Sequence, residues 1–384
     1  MSRISATTEL ETSDWRNQIM RVPRLIVTLC ALACTLSPAL NLQGQRTSEA
    51  QLLIQHSKAV DVMMIMDNVS NWRPGWNQHE YADDWVRRFG PLSKEDKLWI
   101  ERYSEFRRRT WQDPDAGLAD SVTGPDGIFI KRSSLQTNTD PLAAYFKEEP
   151  DCQSALDGLP KRFGPKDGDL LQGFYRHFFS RWELLIADRE PLDKLANRLQ
   201  NQVSTSEAVL YRSHVQKFYG TKVDGIFQVY VVWWPVVDYT AGKSRGGSLY
   251  LQVNPAQAAN DDLDAIIFHE YAHFISAHVD QTTKQQLSQQ FLQGCPLSPE
   301  KNYLAYLEEP LAVTIGNAAY AEFVRKQPLK LSDDWYFDAK TDILAKLIWP
   351  VVQADWRDDE TIRSGIVPLT SSFCNRLRSL GPSF

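Results

Sequence analysis

The segment that most limits what this chain can fold into is Asn260-Asp-Asp-Leu-Asp264 and the apolar run that follows it to about His278. Asn260 and the acids after it supply an N-cap and an acidic first turn, which satisfy free backbone N–H groups and complement the helix dipole. Ile266, Ile267, Tyr271, Ala272, Phe274 and Ile275 are uncharged, as expected of a helix buried beneath a sheet. The same helix nevertheless carries His269, Glu270 and His273. Successive helical residues turn by about 100°, so the two histidines stand roughly 40° apart on one face and one turn apart in height. Both imidazoles can then reach one ion. Zinc suits them, with Glu270 beside the pair to take a proton from water that the ion has acidified. Without a metal the arrangement would be costly, because a buried carboxylate between two buried histidines lacks compensation.

Around this helix the pattern changes along the chain. Helical spacing of apolar residues predicts helices from Ser48 to about Met66, from Ser93 (a plausible N-cap) to Trp111, from Leu170 to Leu185 and from Pro191 to Val203. The stretch from Gln112 to Lys166 is dense in Gly, Pro, Asp and Ser and reads as loops or a linker. Ile226-Phe-Gln-Val-Tyr-Val-Val-Trp-Trp234 is dominated by β-branched and aromatic residues and predicts a strand. A second run, Ser248 to Val253, follows a linker containing Gly242, Gly246 and Gly247, so the two runs are expected to pair antiparallel. Helical stretches resume from Gln281. The expected class is α+β, predominantly helical, with a small antiparallel sheet packed on the histidine helix. The expected organisation is a leader over 1–39, an α-rich region with loops over 40–165 and a second domain over 166–384.

Phe268-His269-Glu270-Tyr271-Ala272-His273-Phe274-Ile275 resembles the active-site helix of the zincin metallopeptidases. The metzincin branch needs a glycine three residues after the second histidine and a third histidine three residues beyond that, where this chain has Ser276 and Val279. His278, nine residues after His269, points about 180° away on a continuous helix. The gluzincin branch takes a glutamate from a later helix, often as Glu-x-Leu-Ala or Glu-Gly-x-Ala, and this chain offers Tyr306-Leu-Glu308-Glu309-Pro-Leu-Ala312. Glu309 fits that pattern. It also shares a face with Ala305, Ala312 and Gly316, small enough for close approach to the histidine helix, whereas Glu308 shares one with Leu304, Leu311 and Ile315. Glu308 stays open as the alternative ligand, and so does a solvated acidic pair at a helix start.

The resemblance spans roughly residues 226–320 and implies a zincin-like catalytic domain that hydrolyses peptide bonds. It implies zinc held by His269, His273 and Glu309, Glu270 as general base, and Ser248–Val253 as the sheet edge that aligns an extended substrate. It also implies an oxyanion-stabilising tyrosine or histidine; Tyr320 and Tyr336 are candidates, though neither lies in a matched motif.

The remaining features bound the setting. A chain of 384 residues, 43% hydrophobic, has material for a large core, while a net charge of -6 without basic runs argues against nucleic acid and anionic membrane surfaces as partners. Arg21 to Arg24 precede an apolar stretch to Leu36 and a small-x-small site at Ser37-Pro-Ala39. This is the build of a secretory signal, too short for a stable membrane span, and implies a secreted or periplasmic protein. Cys34 half resembles a lipid-attachment site. Cys152, Cys295 and Cys374 are too few and too scattered for a disulfide framework. Two other functions compete: a zincin-fold scaffold whose site is occluded, and an exported module binding glycan or cell-wall material through tryptophans such as Trp72, Trp76, Trp233 and Trp234.

Overall fold

The computed structural model describes residues 50–73, 77–111, 140–245, 247–260, 262–280, 282–283, 286–287, 289–290 and 307–358. The leader with Cys34, and also Trp76, Cys295, Ala305 and Cys374, lies outside the described residues. The fold is α+β and predominantly helical, with one four-stranded mixed sheet. Among the described residues no helix is long and apolar enough to cross a membrane.

Strand β1 spans Gln51–His56 and helix α1 spans Lys58–Ser70, with the Ser57 hydroxyl accepting from the Val60 N–H. The continuous helix expected from Ser48 is therefore corrected. Leu52 and Ile54 are buried and alternate with exposed Leu53, a period of two that is easily absorbed into a helical pattern over so few residues. The sheet edge at β1 is covered by a side chain, since Gln200 accepts from the Ile54 N–H at 2.7 Å and so takes the place of a neighbouring strand. Helix α2 spans His79–Phe89, and α3 spans Lys94–Thr110, where Ser93 and Asp96 form a reciprocal capping box.

The expected loop region 112–166 is also corrected where it is described, because helix α4 (Pro141–Glu148) and the first half of α5 (Cys152–His177) occupy it. The misleading prolines bracket a kink: Pro160 and Pro165 flank Gly164, whose φ of 79° breaks α5. Residue 165 thus falls inside a helix, and a continuous buried cluster runs from Ala50 to Trp356. After α6 (Phe179–Ile186), α7 (Glu190–Val203) and α8 (Ser206–Phe218) come β2 (Ile226–Trp233), β3 (Ala241–Arg245) and β4 (Ser248–Val253).

The strand order is β1-β2-β4-β3. β2 pairs with β4 in parallel, Gln228 opposite Ser248 and Trp233 opposite Val253, which overturns the antiparallel pairing expected for these two runs. The supposed linker contains a strand of its own. β3 pairs antiparallel with β4, Arg245 opposite Ser248, through a tight turn in which Gly247 has a φ of 75°. The chain leaving β2 passes beyond the place of β4, lays β3 on the outside and turns back. β4 is therefore interior, and the edge near the histidine helix is β3 rather than Ser248–Val253.

The two sheet tryptophans and Trp72 are core residues: Trp72, Trp233 and Trp234 are all buried. A buried charge network braces the far side of the sheet. Asp61 on α1 accepts from the Trp233 N–H at 2.7 Å, lies 2.9 Å from Nε2 of His56 and 3.3 Å from Nε of Arg189, while Nδ1 of His56 meets Asp193 at 2.7 Å. Burial by itself would lower the His56 pKa, but the hydrogen bonds and charges of Asp61 and Asp193 outweigh it and raise the value. His56 lines a cavity of about 470 Å³. A raised folded-state pKa stabilises fully below the unfolded value of about 6.5 and fades as pH climbs through the folded value. The stability gap between the parent and His56→Gln, read by urea unfolding, should accordingly narrow from pH 6 to pH 9; a constant gap would show that the charge on His56 contributes nothing.

Candidate metal centre

Helix α9 spans Leu263–Ala277 and carries the histidine pair. It lies against the sheet through Phe227, whose ring meets those of Tyr271 and Phe274 at 6.0 and 4.8 Å. Its first turn is pinned by Arg325, which pairs with both Asp262 and Asp264. His278 caps its end, with Nδ1 2.7 Å from the Phe274 carbonyl.

Glu309 opens helix α10 (Glu309–Val313), with Pro310 in its first turn, where a missing N–H is harmless. The helix continues as a π-helical stretch over Thr314–Ala319 and then as α11 (Tyr320–Phe323). The π stretch rests directly on α9. A Cβ at Gly316 would lie 2.2 Å from His269 Cα and 2.3 Å from its N, so only glycine permits this contact. Ala312 on the same face is fully buried.

That approach brings the three side chains together. Nε2 of His269 is 3.3 Å from Oε1 of Glu309, and Nε2 of His273 is 3.1 Å from Oε2. The ligand atoms of His269, His273 and Glu309 all lie within 4.8 Å of one another, so the group can hold a metal ion. Donors about 2.1 Å from a tetrahedral ion stand about 3.4 Å apart; each imidazole lies near that distance from one of the two Glu309 oxygens, and the full set spans up to 4.8 Å. Glu308 takes a different position: its Oε1 is 3.7 Å from Nδ1, the other ring nitrogen of His273. Nδ1 of His269 is buried without a hydrogen-bond partner among the described residues, and this ring stacks on Tyr336 at 5.6 Å and 16°.

The charges are strongly coupled. Burial would lower the His273 pKa, but hydrogen bonding to Glu308 and Glu309 and the charges of Glu309 and Glu270 hold it well above the usual histidine range. Burial would likewise raise the Glu309 pKa, but the two imidazoles keep it far below the carboxylate range. A cation bound by the three groups takes the place of the proton they share, which makes binding compete with protonation.

The two tyrosine candidates part company. The hydroxyl of Tyr336 donates to Oε1 of Glu309 at 2.7 Å, and burial followed by the Glu309 charge raises its pKa. Its loop is fixed by Asp342, which accepts from the N–H groups of Trp335 and Tyr336 at 2.7 and 3.2 Å, and by Asn317, whose side-chain amide donates to the Trp335 carbonyl. Tyr320 is not brought to the centre. It is buried, donates to Asp264 at 2.6 Å and stacks on Phe268, a role in anchoring the start of α9.

One residue at the site lies in a segment read from sequence as linker. Ser244 on β3 donates to Oε2 of Glu270 at 3.0 Å. No spacing rule links it to Glu270, because the contact depends on β3 taking the outer edge of the sheet. The arrangement brings two imidazoles, the Glu309 carboxylate and the Tyr336 hydroxyl together, with the Glu270 carboxylate beside them on the face of the helix toward β3. Comparison with protein-family models, with curated proteins and with solved structures finds no match to this chain.

Proposed function

We propose that this chain is an exported zinc metallopeptidase of the gluzincin type. The observation that carries the proposal is the convergence of the His269 and His273 Nε2 atoms on the two oxygens of Glu309, with Glu270 next along the helix. Two imidazoles and one carboxylate are a donor set suited to zinc, whose Lewis acidity polarises a carbonyl and lets water lose a proton near neutral pH. The remaining work falls to the protein. Glu270 accepts the proton of the attacking water and passes it to the leaving amine. Tyr336 fixes the Glu309 carboxylate with its one hydroxyl proton, and it would have to give up that bond to donate to a developing oxyanion. An extended peptide pairing with the outer edge of β3, which pairs with no further strand among the described residues, would bring its carbonyl toward Glu270.

Exposure favours a peptidase over an occluded scaffold, since the Glu309 side chain is 23% exposed and that of His273 is 15%. Solvent reaches the ligands at that exposure. The basic and then apolar leader supports export.

Purified protein is expected to carry one zinc per chain. His273→Ala should weaken zinc binding by more than the roughly 10–100-fold that losing an outer-shell partner costs, as measured by competition with a chelator. A parent protein that neither contains zinc nor takes it up would end the proposal.

A further inference from the structure

Glu270 has two oxygens in different surroundings, and both surroundings are set by β3. Residues i and i+2 of a strand face the same way, so Gly242 and Ser244 both turn toward α9. Ser244 donates to Oε2 of Glu270 at 3.0 Å. A Cβ at Gly242 would stand 3.5 Å from Cδ1 of Leu249, 3.6 Å from Oε1 and 3.6 Å from Cγ2 of Ile266, one helical turn before Glu270. Ile266 and Glu270 thus form the face of α9 that looks onto β3, while His269 and His273 form the face that looks onto α10. One oxygen is tied and the other faces a position where the strand has no side chain to cover it.

We propose that Ser244 is the positioning residue of Glu270, engaging Oε2 so that Oε1 is the oxygen that accepts the proton, and that glycine at 242 keeps the approach to Oε1 open for water and substrate. The proposal rests on Glu270 being the general base, and it makes the sheet edge part of the proton-transfer machinery. A carboxylate on a rotatable side chain loses catalytic efficiency when its orientation is not fixed, because proton transfer needs heavy-atom contact of about 2.6–3.2 Å. The Ser244 hydroxyl removes that freedom. Substitution at Gly242 tests the second half, because 3.6 Å is ordinary contact and the backbone there has no positive φ, so alanine fits without strain.

The test compares Ser244→Ala, Ser244→Thr and Gly242→Ala with the parent, all loaded with zinc, using fluorescein-labelled casein for activity and calorimetry with acetohydroxamate for binding. Acetohydroxamate chelates through oxygen and must hand its hydroxyl proton to an acceptor beside the metal. Ser244→Ala should lose about 10–100-fold in kcat, part of the roughly 10²–10⁴-fold that a general base supplies, with KM, zinc content and melting temperature unchanged. Ser244→Thr, which keeps the hydroxyl, should stay near the parent. Gly242→Ala should fold as well as the parent yet lose kcat, and acetohydroxamate should bind about 10-fold more weakly to both alanine variants. Parent-like kcat in Ser244→Ala, equal loss in the alanine and threonine variants, or loss accompanied by lost zinc would each overturn the proposal. If the parent takes up zinc but hydrolyses nothing, the peptidase assignment fails separately, and the acetohydroxamate comparison still decides whether Ser244 and Gly242 set the state of Glu270.

Discussion

Glu270→Gln is expected to bind zinc as the parent does and to lose about 10²–10⁴-fold in hydrolytic rate, the range a general base contributes. The amide has the shape of the carboxylate, and its carbonyl oxygen can still accept from Ser244. It cannot take a proton from water. Zinc binding should survive because Glu270 is not in the group of ligand atoms, which comprises His269, His273 and Glu309. Neither should stability change much, since Glu270 is partly exposed on the face of α9 that fronts β3. The measurement is zinc content and casein hydrolysis on the same preparation. A variant that cleaves at the parent's rate removes Glu270 from the mechanism, whereas one that loses zinc moves it into the ligand set.

What the sequence made legible follows from how local each signal is. His269, Glu270 and His273 are set within one turn of one helix, so their common site follows from helical geometry alone. Glu309 was readable one step further, through the small residues Ala312 and Gly316 on its face, and the 2.2 Å separation from a Cβ at Gly316 to His269 Cα is the physical content of that pattern. The sheet was much less legible. β3 is Ala-Gly-Lys-Ser-Arg, with neither β-branched nor aromatic residues, and it exists because β4 offers it backbone partners. Tertiary pairing overrides propensity in such strands. β1 was hidden for the opposite reason, its two buried positions merging into the strongly apolar α1. Tyr336 and Tyr320 look alike in sequence and differ only by the partner that the fold supplies, Glu309 for one and Asp264 for the other.

Gly316→Ala should be the most damaging small change outside the ligands themselves. The added carbon would lie 2.2 Å from His269 Cα, 2.3 Å from its N and 2.8 Å from its Cβ, all closer than real contacts allow. Two of those atoms are backbone inside a helix that is fastened at its start by Arg325 and packed against the sheet, so they cannot yield as a flexible side chain would. The π-helical stretch must therefore move away from α9, at an overpacking cost of about 1–3 kcal/mol or more. Glu309 is carried on the same helix and moves with it. Coordination distances tolerate only about 0.2 Å, so a displacement of several tenths of an ångström costs metal affinity as well as stability. Urea unfolding of the metal-free protein should show the first loss, and chelator competition should show zinc bound at least about 100-fold more weakly, at the upper end of outer-shell effects. Tyr336→Phe, by contrast, keeps the ring stacked on His269 and should spare apo stability, which separates loss of helix contact from loss of a hydrogen bond to Glu309. Parent-like zinc affinity in Gly316→Ala would mean that Glu309 reaches the histidines by some route other than the close contact between these two helices.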